Sequence, residues 1–190
     1  MRSEPMHDYF SEERRWQSWL DVEAALARVQ ARAGIVPDWA AAEITAAARL
    51  DRLDLAALRD EISQTMAPVH ALAQCLARAS GDAGGWVHWG ATTQNIIDAG
   101  RTLVLREAQG ALKARLADIL RRLAELAETH AETPMVGRTN RQHALPITFG
   151  FKVAGWIDEL LRVARQLEEA EPRLFALRFG GAIGAYQSFG

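Results

Sequence analysis

Two short stretches of this sequence hold more polar donors than packing requires. The first is Arg138-Thr139-Asn140-Arg141-Gln142-His143, with two guanidinium groups, a hydroxyl, two amides and an imidazole in consecutive positions. Arginine can fork onto a carboxylate with two parallel N–H bonds, while hydroxyls and amides fix the orientation of the group so held. This set suits a carboxylate-rich ligand. The second stretch runs from His88 through Gly90, Thr92 and Thr93 to Asn95. A helix start needs only one capping residue, so Thr92, Thr93 and Asn95 beside His88 exceed the need. Together they can present hydroxyls, an amide and free backbone N–H groups to an anion.

Other polar residues read more simply. His70 and Cys75 lie in a helical pattern, where a lone histidine or cysteine is usually packed or at the surface. Glu23 flanks an apolar stripe and reads as a salt-bridge partner or an exposed edge.

Helical segments must position both stretches. Ser11 is a natural N-cap, followed by Glu12 and Glu13 in the first turn and by Trp16, Leu20, Ala24 and Ala27 at helical spacing. Gly34 and Pro37 stop that helix. Shorter helices are expected over residues 38–50 and 54–64, the second capped by Asp54. Another opens at Pro68 and ends before Gly81. The glycine cluster at 81–85 breaks the pattern. A helix over about residues 96–132 is the longest expected element. Leu105, Ala108, Leu112, Leu116, Ile119, Leu123 and Leu126 form its stripe, with Arg121–Glu125 and Asp118–Arg122 paired on the wet face. The donor-rich stretch, bracketed by Pro134 and Pro146, reads as a loop. A last helix starts near Thr148, with Trp156, Leu160, Ala164 and Leu167 as its buried face. Gly150 and Gly155 should allow close helix approach, and Pro172 should kink or end it. The fold class is therefore all-α: an N-terminal helical domain over 1–85, followed over 86–190 by long helices that suit a bundle left incomplete by the few helices present.

Composition excludes several functions. The net charge is −2, with acids and bases interspersed, so no basic field points to nucleic acid. Cys75 is the sole cysteine, which rules out an intramolecular disulfide and a cysteine-based zinc site. No apolar run reaches membrane-spanning length and no signal-peptide core is visible, so a cytoplasmic setting is expected.

Three motifs lie in order: His88-x-Gly90-x-Thr92-Thr93-x-Asn95, then Gly137-Arg138-Thr139-x-x-Gln142-x-Ala144-x-Pro146-x-Thr148-Phe149-Gly150, then Phe179-Gly180-Gly181-Ala182-x-Gly184. With the segment from Trp19 to Ala27, they resemble the fumarase/aspartase superfamily. The nearest likeness is to its 3-carboxy-cis,cis-muconate cycloisomerase and adenylosuccinate lyase branch. The resemblance implies a homotetramer built on a central helical bundle, with each active site assembled from three subunits. It also implies addition or elimination at a small polycarboxylate, with no metal or organic cofactor. Removing a proton beside a carboxylate builds a dianion, which needs preorganised donors and cations.

Carried over by position, the resemblance makes His88 and Asn140 catalytic-site residues. Thr92, Thr93, Asn95, Arg138, Thr139, Arg141 and Gln142 become substrate-binding. Lyases of the family carry a histidine general acid where this chain has Asn140, and an amide supplies no proton at neutral pH. The cycloisomerases also lack that histidine, and Phe179-Gly180-Gly181 with Lys152-Val153-Ala154-Gly155-Trp156 leans their way. The family's serine-bearing loop is expected beyond residue 190, so the 190-residue chain alone is expected to be inactive. Two alternatives remain: an adenylosuccinate-lyase-like or other C–N lyase that releases fumarate, and a non-catalytic helical oligomerisation or binding module.

Overall fold

In a computed structural model, residues 6–187 and 189 are described. Contacts divide the chain into two compact units. One comprises the residues up to Glu107 together with those from Ala176 on; the other is Ala108–Phe175. Residues 86–107 belong to the first of these units.

In the first unit, a short 3-10 turn over Met6–Phe10 leads into α1 (Glu12–Arg32). Ser11 caps α1 by accepting from the Arg14 N–H, and Gly34 follows at φ 73°. α2 is Asp38–Ala47, shorter than expected, and a 3-10 turn covers Leu50–Arg52. α3 is Leu55–Thr65, with the Asp54 carboxylate accepting from the N–H groups of Ala56 and Ala57. α4 is Pro68–Ala79, with proline in its first turn, where a missing N–H costs nothing. The glycine cluster forms a further 3-10 turn, Gly81–Trp86. Leu20, Ile44, Leu58, Leu72, Leu76 and Ile96 are fully buried at the centre of this unit's core.

α5 spans Thr93–Thr129, three residues earlier at each end than expected. Its 37 residues reach on the order of 50 Å. Asp118 pairs with Arg121 rather than Arg122, and Arg121 also approaches Glu125 at 3.9 Å.

In the second unit, the expected loop is instead a two-stranded antiparallel hairpin, β1 (Pro134–Thr139) and β2 (Gln142–Thr148). Thr139 pairs with Gln142, leaving Asn140 and Arg141 as a two-residue turn at φ 45° and 66°. Two left-handed residues at such a turn match the right-handed twist of the strands, and asparagine tolerates this region well. The register shifts between Val136 and Arg138, and Gly137 sits at that irregularity. A Cβ there would lie 2.5 Å from the Leu145 carbonyl oxygen. The prolines fit because one opens a strand and both strands are edges.

Thr148 caps α6 (Phe149–Leu174) by accepting from the Phe151 N–H. Pro172 lies inside α6, two residues before its end. Gly150 is closely approached: an added Cβ would meet the Ala127 carbonyl oxygen at 2.6 Å and Ala131 Cα at 2.8 Å. Gly155 faces open space, contrary to expectation. Trp156 is also not part of a buried face; it is 42% exposed, and only Gly150 and Val153 of α6 are buried. Leu160, Ala164 and Leu167 of the expected face are half-buried, because a helix packed in so small a unit can cover only one narrow stripe. Polar links between α5 and α6 run from Gln109 Nε2 to the Leu167 carbonyl (3.0 Å) and from Lys113 Nζ to Glu171 (2.9 Å).

Candidate active site

The first unit gathers two of the three motifs around the start of α5. Asn95 lies in the first turn of α5, and its Oδ1 accepts from the Thr92 N–H at 3.2 Å. This is the reach-back half of a capping box. The same oxygen accepts from the Gly181 N–H at 3.1 Å, which ties in the Phe179-Gly180-Gly181 segment. Gly181 has φ 76°, and a Cβ on it would come within 3.1 Å of the Gly90 carbonyl oxygen. The glycines of both motifs are therefore needed for backbone approach. Thr92 is half-buried and Thr93 is exposed.

His88 precedes this cap in the left-handed region, at φ 62°. Its Nδ1 lies 2.5 Å from Oε1 of Glu23, whose side chain is 3% exposed. Glu23 Oε2 is buried and lacks a hydrogen-bond partner among the described residues. About two helical turns further along α1, the Gln30 amide donates to the Trp89 carbonyl at 2.8 Å. α1 thus grips both ends of the His88–Trp89 pair. Of the two places expected for Glu23, salt-bridge partner or exposed edge, the structure shows the first, while Gln30 carries no expectation from sequence. The available signal was spacing: Trp16, Trp19, Glu23, Ala27 and Gln30 recur every three or four residues, so both polar residues sit on the buried stripe. His88 also lines a cleft with His70, Gln74, Gly84 and Gly85.

Cys75 is not poised as a nucleophile. Burial pushes its thiol above the usual range, partly offset by Arg78, which donates to Sγ at 2.9 Å.

The remaining motif, from Gly137 to Gly150, lies in the second unit. The hairpin exposes Arg138, Thr139, Asn140, Arg141, Gln142 and His143 at and beside its turn. Among the described residues, their side chains make no hydrogen bond or ion pair with one another or with neighbours. A shallow depression at the base of the hairpin is lined by Met135, Arg138, Ile147, Phe151 and Lys152. It adds the Lys152 cation, to which the sequence assigns no binding role. Among the described residues, no group of three or more histidine, cysteine or carboxylate side chains is arranged to hold a metal ion.

A family model described as "Lyase" matches residues 1–190, and the chain belongs to this lyase family of the fumarase/aspartase superfamily. Within it, the chain is 43% identical to the 3-carboxy-cis,cis-muconate cycloisomerase of Pseudomonas aeruginosa strain PAO1 over 190 residues, 98% of this chain and 41% of that protein. It is 35% identical to the adenylosuccinate lyase of Pyrococcus abyssi over 188 residues, 99% of this chain and 42% of that protein. The solved 3-carboxy-cis,cis-muconate lactonizing enzyme of Pseudomonas putida superposes with a TM-score of 0.90 at 42% identity, covering 97% of this chain and 43% of that one. The chain spans about two-fifths of the length of the relatives it matches.

Proposed function

We propose that this chain is the N-terminal portion of a cycloisomerase of the 3-carboxy-cis,cis-muconate type, acting by addition or elimination at a small polycarboxylate. The observation that carries the reading is the hairpin turn. It holds Arg138, Thr139, Asn140, Arg141 and Gln142 with no side-chain partner among the described residues, so its donors are available to a ligand. Two guanidinium groups suit two carboxylates, and Asn140 holds substrate by hydrogen bonding without donating a proton. Thr92, Thr93 and Asn95 offer a second set of donors, and His88 is the imidazole able to carry a proton. Both sets serve one substrate, and they come from different subunits of a homotetramer. In the complete protein, residues 1–85 form the N-terminal domain and 86–190 open the central bundle. The setting is cytoplasmic; among the described residues no helix is long and apolar enough to cross a membrane. No cofactor is assigned.

The test uses the full-length protein and compares kcat/KM on 3-carboxymuconate and adenylosuccinate for the parent, Arg138→Ala, Asn140→Ala and Asn140→His. Asn140→Ala should cost about 1–3 kcal/mol of binding, as for one buried polar partner. Arg138→Ala should cost more, because it removes charge facing a developing dianion. Asn140→His should not raise lactonisation. A parent that prefers adenylosuccinate, or an Asn140→His variant that gains on it, transfers the assignment to the C–N lyase reading. A parent active on neither substrate supports the non-catalytic module.

A further inference from the structure

Glu23 is a carboxylate placed where a carboxylate is hard to justify by packing alone. It lies on the buried stripe of α1, 3% exposed, among Trp19, Leu20, Ala24 and Ala27. A buried acid needs partners, and an apolar residue would fill the same space without that need. Its one hydrogen-bond partner among the described residues is His88 Nδ1 at 2.5 Å; Oε2 has none. His88, in turn, is held in a left-handed backbone conformation that a non-glycine residue seldom adopts. Its side chain is 22% exposed, and it lines the cleft with His70, Gln74, Gly84 and Gly85. The Gln30–Trp89 bond fixes the next peptide, so the backbone bearing His88 has little freedom to turn the ring away.

We propose that Glu23 is the positioning residue of His88: it accepts from Nδ1–H and so fixes the tautomer and orientation in which Nε2 is presented to that cleft. A neutral imidazole carries one proton, and a carboxylate accepts only. A carboxylate on Nδ1 therefore leaves Nε2 as the basic nitrogen, able to accept a proton from substrate or orient a polar group. This rests on the proposed catalytic place of His88 and gives Glu23, within the Trp19–Ala27 segment, a role that the resemblance did not assign. It also explains why α1, far from those motifs in sequence, carries an acid on its apolar face.

The test has two arms. Long-range proton–nitrogen correlation spectra of the 190-residue chain read the tautomer of His88 directly, with the signal assigned by its loss in His88→Gln. The parent should show Nδ1–H with a basic Nε2. In Glu23→Leu, which fills the space but offers no acceptor, the population should move to Nε2–H. A parent that already carries Nε2–H, or a folded Glu23→Leu whose tautomer is unchanged, overturns the proposal. Because the parent spectrum decides on its own, an unfolded variant does not remove the test. In the full-length protein, Glu23→Leu should lower kcat by about 10–100-fold with KM within a few-fold, as for loss of a partner that orients a functional imidazole. A change confined to KM overturns the positioning role. If the parent turns over neither 3-carboxymuconate nor adenylosuccinate, the functional reading fails, while the spectra still decide whether Glu23 sets His88.

Discussion

The backbone N–H of Gly181 donates to Oδ1 of Asn95 at 3.1 Å across 86 positions of sequence, and the same oxygen accepts from Thr92. One amide oxygen therefore closes the first turn of α5 and docks a distant glycine-rich segment. That use is structural, and it leaves the Asn95 amide nitrogen as the group that can donate to a ligand.

The two uses separate by substitution. Asn95→Ala loses both acceptor bonds at a site 8% exposed, and should destabilise the chain by about 1–3 kcal/mol in urea unfolding. Asn95→Asp keeps the acceptor and removes the donor. It should retain most of the stability yet bind a carboxylate substrate more weakly, because like charges then meet. Equal affinity in parent and Asn95→Asp would remove Asn95 from the binding set.

Gly150 and Gly155 lie five residues apart on α6 and should respond to alanine with opposite signs. Gly150→Ala drives a Cβ against the backbone of Ala127, Ala131 and His130 at 2.6–2.9 Å, and should cost about 1–3 kcal/mol as overpacking. Gly155→Ala meets open space within a helix and should gain roughly 0.5–1 kcal/mol. Thermal melts of the two variants check this. A destabilised Gly155→Ala in the isolated chain would show that its surface is already covered.

Arg141 occupies the second position of the hairpin turn at φ 66°, a region that costs an ordinary residue roughly 1–2 kcal/mol. Arg141→Gly should relieve that cost and leave the hairpin at least as stable, although it deletes a cation. Titration with a tricarboxylate should then show weaker binding in a chain that is no less stable. Parent-like affinity in Arg141→Gly would mean that Arg138 supplies the charge alone.

The second unit leaves Leu112 and Ile119 of α5 and Phe151, Trp156 and Leu161 of α6 exposed at 42–70%. Contiguous apolar surface on long helices favours association. The chain should therefore sediment and scatter as a dimer or tetramer, and dilution should shift its Tm downward. A well-folded monomer at high concentration counts against the homotetramer reading.

Much of the architecture was legible along the chain because its signals are local. Ser11, Asp54, Pro68 and Thr148 each begin a helix through a hydrogen bond or a missing N–H within three residues. Gly34 ends one through its own backbone freedom. The 3.6-residue period of α5 needs no partner to be seen. The hairpin was harder: Pro134 and Pro146 read as breakers, and the strand pairing between them depends on register. The two-residue left-handed turn at Asn140 and Arg141 shows itself only once Thr139 is opposite Gln142.

The sequence by itself determined that this is a helical chain carrying three polar, glycine-rich motifs in a fixed order, because residue types, caps and periodicity are properties of neighbours along the backbone. Tertiary structure decided which polar groups are already engaged. It set Glu23 on His88, Gln30 on the Trp89 carbonyl and Asn95 on Gly181, while leaving Arg138 and Arg141 without partners among the described residues. The physical reason is that a hydrogen bond depends on distance and angle between groups 59 to 86 residues apart, and no local pattern encodes that closeness.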